Sequence, residues 1–294
     1  MTTSLPQLTV GISVTSSPEA RAMGFDESAL HRLLVRIAEH FIATGQRVLF
    51  GHDWRYDGVM RAIGAYAQIA VSSGSLNGEE HQERLLNIVP TAGKGLPPSA
   101  AEAEGYSAGA LKVSALEDVV DQAMVNGKSL ELPADWQQDR IAELWVLRAY
   151  LTQLLDPGCR ICLGGKTHDY QGYYGGLAEE AFFGMKAGKP VYLLPAFGGT
   201  TRVVWDALDG QRTDHEVLRP AKSPPKPNSL RSKVATQCGL PQRGLGKALA
   251  KIGRGGYCAL NGLSSTDCNA LAKTTDIEVA LEIITRSLRK VTAR

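Results

Sequence analysis

No run of apolar residues in this sequence approaches the roughly 20 needed to cross a bilayer, so no membrane span is expected. The opening MTTSLPQLTVGISV lacks a basic stretch followed by an apolar one, so no secretory signal is read there and a cytoplasmic location is expected. A charge excess is missing too. Against 32 Lys and Arg stand 30 Asp and Glu, a formal net charge of +2, which makes nucleic acid an improbable partner. There is no G-x-x-x-x-G-K-[ST], and no G-x-G-x-x-G follows the first predicted strand. A P-loop NTPase and a standard dinucleotide dehydrogenase are therefore disfavoured. No internal repeat is found.

Cysteine is sparse and odd in number: Cys159, Cys162, Cys238, Cys258 and Cys268. Cys159 and Cys162 form a C-x-x-C, a spacing used by redox and zinc sites. They sit in a predicted strand, where residues three apart point to opposite faces, so they read as small core residues in a reducing compartment. No metal and no cofactor is expected. With 294 residues the chain can bury a core without staples, and 44% hydrophobic against 21% charged residues excludes wholesale disorder.

What the sequence has in quantity is glycine, 31 residues, much of it just after predicted strands. Leu8 to Val14 reads as a strand. Asp26 then N-caps a helix whose apolar positions Leu30, Leu34, Ile37, Phe41 and Ile42 share one face, and Gly45 ends it. Strands at Arg47 to Phe50 and Leu85 to Val89 flank a second helix with Val59, Met60, Ile63 and Ala67 on one side. Leu111 to Val125 reads as a modest helix. From Asp139 a stripe of Ile141, Leu144, Trp145, Leu151 and Leu155 gives a helix, followed by a strand at Arg160 to Leu163 and a helix from Gly175 to Ala187. A strand at Pro190 to Leu194 leads to a helix opened by Thr200, and the tail from Asp276 is an amphipathic helix. Strands alternating with helices imply βαβ units, so the fold class is α/β with a mostly parallel sheet. A single domain over 1–294 is expected, with an elaboration at about 92–135 and an exposed Pro-rich loop at about 209–229.

In an open parallel sheet, ligands bind beyond the carboxyl ends of the strands. Four glycine-bearing loops fall at or near such ends: Gly51-His52, Gly164-Gly165-Lys166, Gly172 to Gly176, and Phe197-Gly198-Gly199-Thr200. Glycine lets backbone N–H groups approach an anion, and a following helix adds its dipole. Ser13 lies near the carboxyl end of the first strand, and Lys166 is a point charge suited to a phosphate. Glu179 and Glu180 open a helix, where a carboxylate is stabilised and could bind ribose hydroxyls or act as a base at an anomeric carbon. Adjacent helical residues diverge by about 100°, so one of the two is expected at the ligand and the other in solvent. Tyr170, Tyr173 and Tyr174 are candidates to stack on a base or to pack.

The order Cys-Leu-Gly-Gly-Lys from Cys162, Tyr-Gln-Gly-Tyr-Tyr-Gly-Gly-Leu-Ala-Glu-Glu-Ala from Tyr170, and Gly-Lys-Pro-Val-Tyr-Leu-Leu-Pro-Ala-Phe-Gly-Gly from Gly188 resembles the SLOG superfamily, most of all its prokaryotic TRPM-type members. The late stretch from Leu260-Asn261-Gly262 also resembles the closing segment of that group. The resemblance implies a Rossmann-like sheet with helices on both faces, binding an ADP-ribose-like or cyclic nucleotide through Ser13, Gly51, His52, Gly164, Gly165, Lys166, Tyr170, Gly175, Gly176, Glu179, Glu180, Phe197, Gly198, Gly199, Thr200 and Asn261. It also implies a sensor in bacterial signalling or anti-phage defence. Members that hydrolyse nucleotides carry a G-T-x-x-E whose glutamate assists N-glycosidic cleavage; here Gly176 replaces the threonine before Glu179. A ligand sensor acting on an effector protein or through a homo-oligomer is therefore the leading expectation. An N-glycosidic hydrolase or transferase using Glu179 is the alternative. A nucleic-acid role would rest on the basic segment Arg231, Lys233, Arg243, Lys247, Lys251 and Arg254.

Overall fold

Six strands form one sheet in the computed structural model, which describes residues 7–51, 54, 58–75, 83–90, 110–127, 129–221 and 224–293. They are β1 (Thr9–Thr15), β2 (Arg47–Gly51), β3 (Leu85–Val89), β4 (Leu111–Ala115), β5 (Gly158–Gly164) and β6 (Val191–Leu194). Their order is β4-β3-β2-β1-β5-β6, and every pairing is parallel. The helices among the described residues are α1 (Pro18–Ala22), α2 (Glu27–Ala43), α3 (Val59–Ser72), α4 (Leu116–Val125), α5 (Arg140–Gln153) and α6 (Gly176–Lys186). The second half adds α7 (Gly199–Leu208), α8 (Leu230–Cys238), α9 (Leu245–Leu260), α10 (Ser265–Lys273) and α11 (Ile277–Thr292).

The chain leaves β1 towards β2 and β3 but leaves β5 in the other direction, towards β6. With right-handed crossovers, that reversal puts α2 and α3 on one face and α6 on the other. The sheet is thus parallel, as the alternating pattern predicted, and doubly covered and Rossmann-like, as the resemblance implied, and its direction reverses between β1 and β5.

The helix α5 fills the centre of one layer. Every residue from Ile141 to Thr152 is buried, including Glu143 and Arg148, because α5 lies between the sheet, α6 and α8. The predicted apolar stripe is only part of what it buries. Two other predictions need correction. Leu111 to Val125 is a strand followed by a helix: Leu111–Ala115 pairs with β3, where the sheet edge rewards extended chain over weak helical periodicity. The Pro-rich stretch is not simply an exposed loop. Val217 and Leu218 are buried, and the segment straps the Tyr/Gly loop through Gly175 N–H to the Val217 carbonyl (2.9 Å) and Ala221 N–H to the Tyr173 carbonyl (2.7 Å).

Cys159 and Cys162 are buried without a disulfide, whereas Cys258 and Cys268 are bonded to each other, a pairing the sequence did not lead us to expect. No helix among the described residues is long and apolar enough to cross a membrane.

The outer edge of β6 is closed by side chains rather than by another strand. Val191 N–H donates to Asn261 Oδ1 (2.6 Å), and Leu193 N–H donates to the Tyr257 hydroxyl (3.0 Å). Two strand residues advance about 6.6 Å and four helical residues about 6 Å, so one face of α9 matches the repeat of the strand edge. Tyr257→Phe leaves the buried Leu193 N–H unpaired; we expect a loss of about 1–3 kcal/mol in urea unfolding, with faster hydrogen exchange at Leu193.

Asp139 begins α5, its Oδ1 accepting from the Ile141 (2.9 Å) and Ala142 (3.0 Å) N–H groups while Arg231 of α8 clasps the carboxylate. Burial opposes the charge, but Arg231 and the two amides prevail and hold the carboxyl below its ordinary value. A depressed folded-state value means stability that is complete above the unfolded carboxylate pKa of about 4 and is lost as pH falls through the lower folded value. Acid titration of the melting temperature should therefore show a shallower decline below about pH 4 in Asp139→Asn than in the wild type.

Candidate functional site

At the carboxyl ends of β1 and β5, where the sheet direction reverses, lies a cleft of about 230 Å³. One wall comes from the chain leaving β1, with Thr15, Ser16, Pro18, Arg21 and Glu27; the other is Lys166 to Asp169, leaving β5. The first wall is built by a capping signal. The Ser17 hydroxyl accepts from Ala20 N–H (3.0 Å), and Pro18 takes the first helical position, so α1 starts directly above the strand end.

The β5 and β6 glycine loops pack on one another behind this cleft. Gly164, Gly165, Gly198 and Gly199 all have positive φ, and a Cβ on Gly199 would lie 2.5 Å from the Gly165 carbonyl oxygen. Gly165 N–H donates to Thr15 O (2.7 Å), Thr200 N–H donates to Gly165 O (3.0 Å), and the Thr200 hydroxyl donates to Lys166 O. Lys166 is thereby held by its backbone, while its ammonium makes no ion pair among the described residues. The same is true of Arg21. The Ser16 hydroxyl is buried without a hydrogen-bond partner among the described residues.

Thr167 clips the two walls together by donating to the Glu19 carboxylate (3.1 and 3.3 Å). Burial of Glu19 is outweighed by hydrogen bonds from its own backbone, Ser17 and Thr167, which hold its carboxyl below the ordinary value. His168 contacts Asp169 at 2.9 Å at the exposed rim.

Several predicted residues lie elsewhere. Glu179 is fully enclosed: its carboxylate pairs with Arg148 and accepts from Trp145 Nε1 (3.2 Å) and Tyr174 N–H (2.9 Å). Burial pushes this carboxyl up, opposed by the Arg148 cation. Glu180 is also turned inward, accepting from Ser13 Oγ and from Arg160 Nη1 (2.9 Å), which also donates to Ser13 Oγ (2.8 Å). The expectation that one of the two glutamates would be solvated is overturned. Each has a buried arginine as its partner.

Arg148 also explains the Tyr/Gly loop. A Cβ on Gly172 or Gly176 would fall within 2.9 Å of its guanidinium nitrogens, so these glycines make room for an internal cation. Gly175 faces Val217. Tyr173 and Tyr174 are buried, their hydroxyls donating to the Gln242 (2.9 Å) and Pro241 (2.8 Å) carbonyls. Tyr170 is partly buried and donates to Glu216 O (3.0 Å).

Gly51 ends β2 beneath Leu151 of α5, and Phe197 is buried edge-on to Phe25. Asn261 serves the amino end of β6, away from the cleft. His52 lies outside the described residues, as do residues 92–109 of the elaboration at 92–135. In the basic segment, Arg231 pairs with Asp139, and Arg254 pairs with Asp209 and covers Trp205; Lys233, Arg243, Lys247 and Lys251 are exposed. No group of three or more His, Cys, Asp or Glu side chains that could hold a metal ion occurs among the described residues.

The cleft thus brings together Lys166 and the Gly164–Gly165 turn with Ser16, Arg21, Thr167 and His168, which the sequence reading missed. The Ser17-Pro18 capping signal was legible and would have placed α1 over β1.

A family model described as SLOG cluster2 matches residues 4–256. No curated protein matches the chain.

Because Glu179 and Arg148 are buried as a pair, removing one charge strands the other. We expect Glu179→Gln to lower the unfolding free energy by about 3–5 kcal/mol in equilibrium urea melts, whether or not a nucleotide is present.

Proposed function

The chain belongs to the SLOG cluster2 family, whose membership carries nucleotide-related ligand binding in general, and from that premise we propose that the β1/β5 cleft receives the phosphate-bearing part of a nucleotide-derived ligand. The observation behind this reading is the meeting, at the reversal point of the sheet, of two cations, Lys166 and Arg21, and the Ser16 hydroxyl, none of which has an ion-pair or hydrogen-bond partner for its side-chain polar group among the described residues. A cation with no internal carboxylate partner costs little to keep in solvent and gains charge-assisted hydrogen bonds when phosphate arrives. The position is the one that open α/β sheets use for ligands.

An ADP-ribose-like or cyclic nucleotide is the ligand class we favour, read by a sensor whose output passes to an effector protein or a second copy in bacterial signalling or anti-phage defence. The N-glycosidase alternative has no support from the geometry: Glu179, its required base, is enclosed and fully engaged.

Isothermal titration with ADP-ribose, its cyclic form and cyclic mono- and dinucleotides tests the reading. We expect one of this panel to bind, and Lys166→Ala and Arg21→Ala each to weaken it by about 1–3 kcal/mol, roughly 5- to 150-fold, while Lys247→Ala on the exposed face of α9 leaves it unchanged. Absence of heat and of thermal shift across the panel removes the proposal.

A further inference from the structure

The five cysteines divide into two groups. Cys159, Cys162 and Cys238 are buried and unbonded, and burial pushes the thiols of Cys162 and Cys238 up to about 12. Such thiols are shielded and carry little thiolate. Cys258 on α9 and Cys268 on α10 are joined, with their Cα atoms 6.2 Å apart and a sequence separation of 10. This pair is the one that a soluble thiol can address, and it is asymmetric: Cys268 is 1% exposed, whereas Cys258 is only partly buried.

The bond also has a mechanical role. The main contacts of α10 run to β6, to the turn Pro195–Phe197 and to α11, rather than to α9. Its covalent tie to α9 is therefore not duplicated by extensive packing between the two helices. α9 carries Tyr257 and Asn261, which close the β6 edge, and Pro195–Phe197 leads directly into the Gly198–Gly199 turn. The bond fastens together two elements that grip the same edge strand.

We propose that Cys258 and Cys268 form a reversible thiol–disulfide exchange site for low-molecular-weight thiols of the glutathione class, entered at Cys258, whose closure locks α10 to α9. In closure, the Cys258 thiolate attacks glutathione disulfide, forming a mixed disulfide and releasing one glutathione thiolate. The Cys268 thiolate then attacks Sγ of Cys258 and expels the second. Two electrons and two protons leave the protein and appear in two glutathione thiols. Opening is the reverse, with glutathione attacking the accessible Cys258 sulfur.

The test uses the full chain equilibrated over a range of glutathione to glutathione disulfide ratios, then denatured, alkylated and weighed intact. The expected result is a single step between five and three alkylatable thiols, with the three-thiol form melting about 5–10 °C higher. Peptide mapping after glutathione disulfide treatment should find the mixed disulfide on Cys258 in Cys268→Ser and none on Cys268 in Cys258→Ser. Five thiols at every ratio, equal melting temperatures of the two forms, or an adduct on Cys268 each overturns the proposal. Should either variant fail to fold, the thiol count and melting temperature of the wild type still decide it.

Discussion

Two carboxylates side by side at the start of α6, Glu179 buried and Glu180 largely so, are turned inward because two buried arginines meet them. Each charge alone would cost several kcal/mol to take out of water, so neither acid can occupy its place until its partner does. The partners come from different parts of the fold. Glu179 answers Arg148 of α5, and Glu180 answers Arg160 of β5 and Ser13 of β1. Four elements are thus positioned relative to one another by charge matching, which is directional where hydrophobic contact is not. The Tyr/Gly loop follows from the same constraint, since it has to wrap the Arg148 guanidinium closely and present Tyr174 N–H to Glu179.

This internal matching is separate from the cleft. The two glutamates of α6 are spent on Arg148 and Arg160. Lys166 and Arg21 line the cleft at the reversal point between β1 and β5 and make no ion pair among the described residues, while Glu19 accepts from Thr167, Asp169 contacts His168 and Glu27 lies on the same wall as Arg21. The cleft therefore carries two cations beside two carboxylates, Glu27 and Asp169, and none of the four takes part in the ion pairs of the layer beneath. The buried network balances its own charge, two carboxylates against two guanidiniums, without drawing on the groups of the cleft.

Much of the first half was legible because its information is local. In β1, α2, β2, α3 and β3 the apolar period and the caps agree, so Asp26, Gly45 and the Val/Ile strands mark their own boundaries. Leu111–Ala115 was misread because its extended form depends on pairing with β3, distant in sequence. The role of Glu179 was misread for a similar reason: the position of a carboxylate in a first helical turn is local, but Arg148, which takes it, is 31 residues away. Asn261 likewise shows a polar residue near a helix end, and only the tertiary structure reveals the strand N–H that it serves.

Glycine-rich loops carry a more specific ambiguity. A phosphate and a guanidinium ask the same thing of the chain, a stretch of backbone without side chains close enough to touch, and composition does not distinguish them. The backbone does. Gly164, Gly165, Gly198 and Gly199 take positive φ where two strands end, so the chain reverses there and the turns pack backbone against backbone behind the cleft. Gly172 and Gly176 take no such conformation, and their missing Cβ atoms correspond to the space occupied by Arg148. The first set is required by chain reversal at the carboxyl ends of the strands, the second by an ion pair inside the protein. A glycine motif that matches a nucleotide-binding loop therefore points to a ligand only when the space its glycines leave is not already filled by the chain's own cation.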